Sequence, residues 1–180
     1  TVREFLARQD RALHVAHHKH HAAQLLRATE WGIPAVVLIC KPRDACLSLL
    51  ALAAETRKIA GRSRDRGTAF SDVFAAYIAF YTAVAPCLDR LVIGQFEMVH
   101  RDLPGLIERT NTRFGTDVVE DVRQFELGRH AMPTSFRDGI KQDLRVRLEA
   151  EVASSATLRS LVAKAEHIYS RYEQANERHA

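Results

Sequence analysis

Cysteine is scarce in this chain. There are three, Cys40, Cys46 and Cys87, an odd number with no C-x-x-C spacing. That excludes a disulfide framework and a zinc site built on paired thiols, and a reducing cytoplasm is the simplest setting. Long apolar runs are missing too: none approaches the roughly 20 residues of a membrane span. The opening Thr1-Val2-Arg3-Glu4-Phe5-Leu6 lacks the pattern of a secretion signal, so the chain reads as soluble. There is no internal repeat, no low-complexity tract and no Gly-Lys-Ser/Thr loop of the kind that cradles phosphates. Charge is nearly balanced, with a formal net of +4 and an isoelectric point near 9.2. Such mild basicity suits an anionic ligand, but nothing points to nucleic acid or a membrane as a partner.

What is present is enough apolar material, 47% of 180 residues, for one domain with a substantial core. The stretch 33–50 organises it. Val36-Val37-Leu38-Ile39 is a β-branched and aliphatic run too short for a helix, which predicts a strand buried on both faces, as in a parallel sheet. Pro42 supplies a φ suited to a helix start, and Asp44 places a negative charge in the first turn, against the positive end of the dipole. Ala45, Leu49, Leu52 and Ala53 then continue a helical stripe. Ligands of parallel α/β sheets bind outside the carboxyl ends of the strands. On the residues alone, 40–48 is either an anion site served by free amides, Lys41 and Arg43, or a core strand followed by a capped helix.

Along the chain, residues 2–9 form a short amphipathic helix, 12–16 a strand centred on Leu13 and Val15, and 22–30 a helix with Leu25 and Leu26 inward. Residues 61–67, basic and bracketed by glycines, form a surface loop. Residues 69–87 form a long apolar helix whose Phe70, Val73, Phe74, Tyr77, Phe80, Tyr81 and Val84 face the core. Residues 90–96 are the next strand, and 103–114 a helix closed by Gly115. Helices follow over 117–127, 135–153 and 157–175. Arg137 and Lys141, one turn apart, form a basic pair on a solvated helix face.

Cys40-Lys41-Pro42-Arg43-Asp44-Ala45-Cys46-Leu47-Ser48 resembles the Arg-Asp-Pro-Arg-Asp-x-x-x-Ser pattern that follows a hydrophobic strand in sulfotransferases. Phe96-Glu97, followed by a helix that ends in Phe114-Gly115, resembles the family's next segment. The resemblance runs over about 13–115. It implies a three-layer α/β/α sandwich with a small, mainly parallel sheet of 13–15, 36–39 and 91–95, related to phosphate-loop nucleotide hydrolases. The chain is then one domain, 1–180, with an α/β part over 1–116 and a helical part over 117–180. The family's strand and phosphate loop do not appear, which implies that the sequence begins just downstream of them. In such folds that strand lies centrally, so 36–39 and 91–95 are expected to flank a gap.

By the same resemblance the activity is sulfuryl transfer from 3′-phosphoadenosine 5′-phosphosulfate, the donor co-substrate, to a hydroxyl or amine of a small-molecule or glycan acceptor. Ser48 would hold the 3′-phosphate. The family's first arginine is Cys40 here, which removes a bidentate donor and leaves Lys41 and Arg43 to compensate. Of the clustered histidines 17, 18, 20 and 21, His20 aligns with the general base and His18 is the alternate. The rivals are a sulfotransferase-like binding or assembly module without chemistry, for which Cys40 argues, and a nucleotide or small-molecule kinase on the same fold. Neither the acceptor nor the oligomeric state is legible.

Overall fold

The computed structural model describes residues 22–59, 68–99, 101–118 and 134–178. The helix α1 (Ala22–Glu30) turns Leu25 and Leu26 toward the core. The strand β1 (Val36–Ile39) follows, and α2 (Pro42–Ile59) starts on the proline, with Asp44 in its first turn. The helix α3 (Phe70–Val84) begins where Asp72 accepts the Ala69 amide at 3.3 Å, and it buries Phe70, Val73, Phe74, Ile78, Tyr81 and Val84.

The expected single helix over 69–87 is instead α-helical only to Val84, then tightens into a 3₁₀ turn, Ala85–Arg90. Pro86 is the cause, since it has no N–H to give the preceding turn and its ring crowds the carbonyl four residues back. By length and composition Phe70–Arg90 does pass for a membrane span, with a mean hydropathy of 1.4, contrary to the sequence expectation. Its buried stripe faces the protein core.

Then come β2 (Val92–Gln95), the single turn α4 (Phe96–Val99) and α5 (Leu103–Phe114), which Asp102 caps by accepting the Gly105 amide at 3.0 Å. Gly115 ends α5 at φ +63°, a left-handed conformation that glycine adopts without the clash a Cβ brings. Two long helices complete the described chain, α6 (Thr134–Ser154) and α7 (Ala156–Glu177), with Ser155 capping the second. The protein is mixed α/β and mostly helical, with a small parallel sheet of two strands among the described residues. The expected helix over 2–9, the strand over 12–16 with its core at 13–15, and the loop over 61–67 lie outside those residues, as does the expected helix over 117–127 apart from 117 and 118, which are not helical.

The gap expected between the strands is not there. Val36 pairs with Val92, and the parallel register runs directly to Ile39 with Gln95, so no central strand separates them. Each strand supplies the other's ladder partners, which removes the backbone argument for a missing neighbour between them. On one face Leu38, Gly94 and Leu106 of α5 meet; a Cβ on Gly94 would stand 2.7 Å from Leu38 Cδ2. On the other, Val37, Ile39 and Ile93 join a single core cluster running from Ala35 to Ala175. The helix α3 packs on α7, and α2 on α6, so the carboxyl-terminal helices share the core of the α/β part.

The outer side of β1 is served by tyrosines. The Val92 amide donates to the Ala35 carbonyl at 3.1 Å, and this phase turns the peptide groups of Val36 and Leu38 away from β2. The Tyr81 hydroxyl donates to the Leu38 carbonyl at 2.8 Å, and that of Tyr77 to the Cys40 carbonyl at 3.0 Å. Four helical residues advance about 6 Å and two strand residues about 6.6 Å, so the two spacings match.

Candidate functional site

The carboxyl ends of β1 and β2 lie side by side, which brings Cys40 and Lys41 to Glu97 in α4. One oxygen of the Glu97 carboxylate accepts the Cys40 thiol at 3.2 Å and the Lys41 amide at 3.1 Å. Burial pushes the Glu97 carboxyl up, but its own backbone amide, the Lys41 amide, the Cys40 thiol and the Lys41 charge outweigh it and hold the group below its ordinary range. It is a fixed negative charge at neutral pH. The thiol moves the other way: burial first, then the hydrogen bond and charge of Glu97 and the charge of Asp44, raise Cys40 to about 12, and Lys141 offsets this in part. Cys40 is thus a protonated donor, not a nucleophile.

The expected phosphate-site residues divide. Cys40 and Lys41 come together on Glu97, with the Lys41 side chain exposed. The Arg43 guanidinium is taken by two carboxylates, Glu149 of α6 at 2.6 Å and Glu166 of α7 at 3.0 Å. Ser48 is half-buried and stands about 9 Å along α2 from Pro42, six residues at 1.5 Å each. His18 and His20 lie outside the described residues. The Arg137 and Lys141 pair is not a solvated face, because Arg137 forks onto Glu55, which is only 4% exposed, with Nε at 3.0 Å from Oε2. Lys141 is near enough to act on the Cys40 thiol.

Glu97 as the acceptor at this junction was not foreseen. The available signal was its position, directly after a strand that pairs with the strand before Cys40. Beside the junction a groove of about 370 Å³ opens over the end of β2, floored by Gly94 and Gln95 and walled by α5 and Asn176 of α7. Gln95 donates to Glu173 at 3.1 Å across its edge. Among the described residues no three His, Cys, Asp or Glu side chains gather as a metal-binding group. Comparison of the chain with family models, with curated proteins and with solved structures finds no match.

Proposed function

We propose that the chain is a sulfotransferase-like binding module of three-layer α/β/α type, in which sulfuryl-donor binding has been replaced by an internal contact. The observation that carries this is the Glu97 carboxylate on the Lys41 amide and the Cys40 thiol, at the start of α2. Where the resemblance puts a 3′-phosphate, the protein supplies its own anion. Two like unit charges about 4 Å apart oppose each other by roughly 1 kcal/mol in water and about 4 kcal/mol near a protein surface. Arg43, the strongest remaining phosphate donor, is already neutralised by Glu149 and Glu166. A thiol held at about 12 is not a nucleophile near neutral pH, and a carboxylate held below its ordinary range is a weak base already occupied by two donors. The junction is built to hold two strands together.

Calorimetry on the full chain tests this with 3′-phosphoadenosine 5′-phosphate and, as control, adenosine 5′-phosphate. The expected result is no preference for the 3′-phosphate in the wild type. Cys40→Arg alone should not create one, because the new guanidinium meets Glu97 first. Cys40→Arg with Glu97→Gln should favour the 3′-phosphate by about tenfold or more. A wild-type chain that binds the 3′-phosphorylated nucleotide selectively, and loses it in Ser48→Ala, would return the donor-dependent transferase reading with His20 or His18 as base.

A further inference from the structure

Three arginines among those whose exposure is described are partly buried: Arg43, Arg109 and Arg137. Two are charge-balanced, Arg43 by Glu149 and Glu166, and Arg137 by Glu55. Arg109 is the exception. Its guanidinium Nη1 donates to the Asn176 side-chain oxygen at 2.9 Å, and among the described residues no carboxylate lies within ion-pair distance of it. Among the described residues a neutral amide orients this partly buried guanidinium and no ion pair engages it, so its remaining donors can be offered to an anion.

The place fits a ligand as well as the charge does. Arg109 lines the groove of about 370 Å³, within the range of small-ligand clefts, at the carboxyl end of a parallel strand, where α/β folds bind theirs. Asn176 holds the arginine from the other wall, which spares part of the entropy of fixing a long side chain. Met98 and Leu106 give the groove an apolar wall. Asp102 and Glu108 also line it, so its side chains sum to one negative charge. The two carboxylates oppose any anion, a dianion such as phosphate about twice as strongly as a monoanion, and an apolar body gives a monoanion hydrocarbon contact with Met98 and Leu106 to offset that repulsion.

We propose that this groove binds a carboxylate carried on an apolar body, the carboxylate taken by Arg109 and the body laid against Met98 and Leu106. The site goes beyond the binding-module reading and is independent of whether the start of α2 admits a nucleotide. Two sources carry this chemistry, a free aliphatic acid and the carboxyl end of a peptide chain.

The test is a ¹H–¹⁵N titration of the full chain with hexanoate, hexanamide, inorganic phosphate, and an acetylated tripeptide ending in leucine with its carboxyl free or amidated. Hexanoate should shift the Gly94 and Gly105 amides and the Arg109 Nε–H saturably. Hexanamide should bind about ten- to a hundredfold more weakly, the usual worth of a charge-assisted hydrogen bond, and phosphate should bind more weakly than hexanoate. Arg109→Gln should reduce hexanoate binding to the level of the amide. Asn176→Asp, which keeps the shape of the wall but hands Arg109 a carboxylate, should do the same with the spectrum of the folded protein intact. A free-carboxyl tripeptide that outbinds hexanoate names a chain terminus as the source, and the reverse order names a free acid; both support the site. Equal affinity for hexanoate and hexanamide, no saturable shift, or unchanged binding in Asn176→Asp would overturn it.

Discussion

Cys40 and Glu97, 57 residues apart in sequence, meet at 3.2 Å where β1 and β2 end, and the same carboxylate oxygen holds the Lys41 amide. Its folded pKa lies below the ordinary value near 4.5. The stabilisation is therefore complete above that value and is lost as pH falls through it and below, where the folded carboxylate takes up its proton. The difference in thermal midpoint between the wild type and Glu97→Gln should be steady near neutrality and shrink in acid below about pH 4.5. A difference that grows in acid would mean the carboxyl is not favoured as an anion.

The thiols report on the alkaline side. Burial leads in raising both Cys40 and Cys46 from 9.0 to about 12, and Tyr77, Tyr81 and Tyr172 are raised above their ordinary value by burial first. A group whose acid form is favoured by folding costs stability once pH passes its unfolded pKa, so stability should fall from about pH 9 upward. A thiol raised from 9.0 to about 12 carries about a thousandfold less thiolate in the folded protein than in the unfolded chain. Iodoacetamide near pH 8 should therefore modify Cys40 and Cys46 only at the rate of unfolding, which mass spectrometry of labelled peptides reads directly. Rapid native labelling of Cys40 would contradict the hydrogen bond of its thiol to Glu97.

Removing single hydroxyls should grade the tyrosines. The Leu38 carbonyl points away from β2 and accepts Tyr81, so Tyr81→Phe leaves a polar group short of a partner at a cost of about 1–3 kcal/mol. Tyr172 donates at 2.7 Å to the Tyr81 carbonyl, which also receives the Ala85 amide. Tyr172→Phe should therefore cost less, about 1 kcal/mol. Urea denaturation of both variants compares them, and the reverse order would refute the assignment.

Arg137 and Arg43 should behave differently although each forks onto carboxylates. Glu55 is buried, so Arg137→Ala strands a charge and should destabilise by about 3–5 kcal/mol, whereas Arg137→Met with Glu55→Met should recover most of it. Arg43, Glu149 and Glu166 are in contact with water, and Arg43→Ala should cost about 1 kcal/mol or less. Denaturation midpoints of the three variants check the ranking.

Helices and strands were legible because their signals are local. The apolar periodicity of 22–30 and the Gly115 stop after 103–114 mark those elements, and the run 36–39 marks β1. Pro86 carried the signal for the break after Val84, but the apolar stripe continued past it and outweighed it. Pairing was not legible: which strand neighbours β1 depends on contacts across 56 residues, and a family template put a gap where the ladder closes. The candidate site failed to show for the same reason. Arg43 looks like a free cation until Glu149 and Glu166, more than 100 residues on, are folded against it, and Arg137 looks solvated until Glu55 is. Local chemistry drew attention to 40–48, but long-range partners decide what its charges do.

The two tyrosine hydroxyls on the outward carbonyls of Leu38 in β1 and of Cys40 just beyond it bear on how open that strand edge is to another chain. An exposed strand edge recruits other strands, and short edges blunted by side chains resist this. Here an incoming strand would compete with Tyr81 for the Leu38 carbonyl and with Tyr77 for the Cys40 carbonyl, two of the acceptors a continued ladder needs. The helix α3 thus acts as a guard along β1, and losing both hydroxyls together should first appear as aggregation under mild heating, before any loss of helix content.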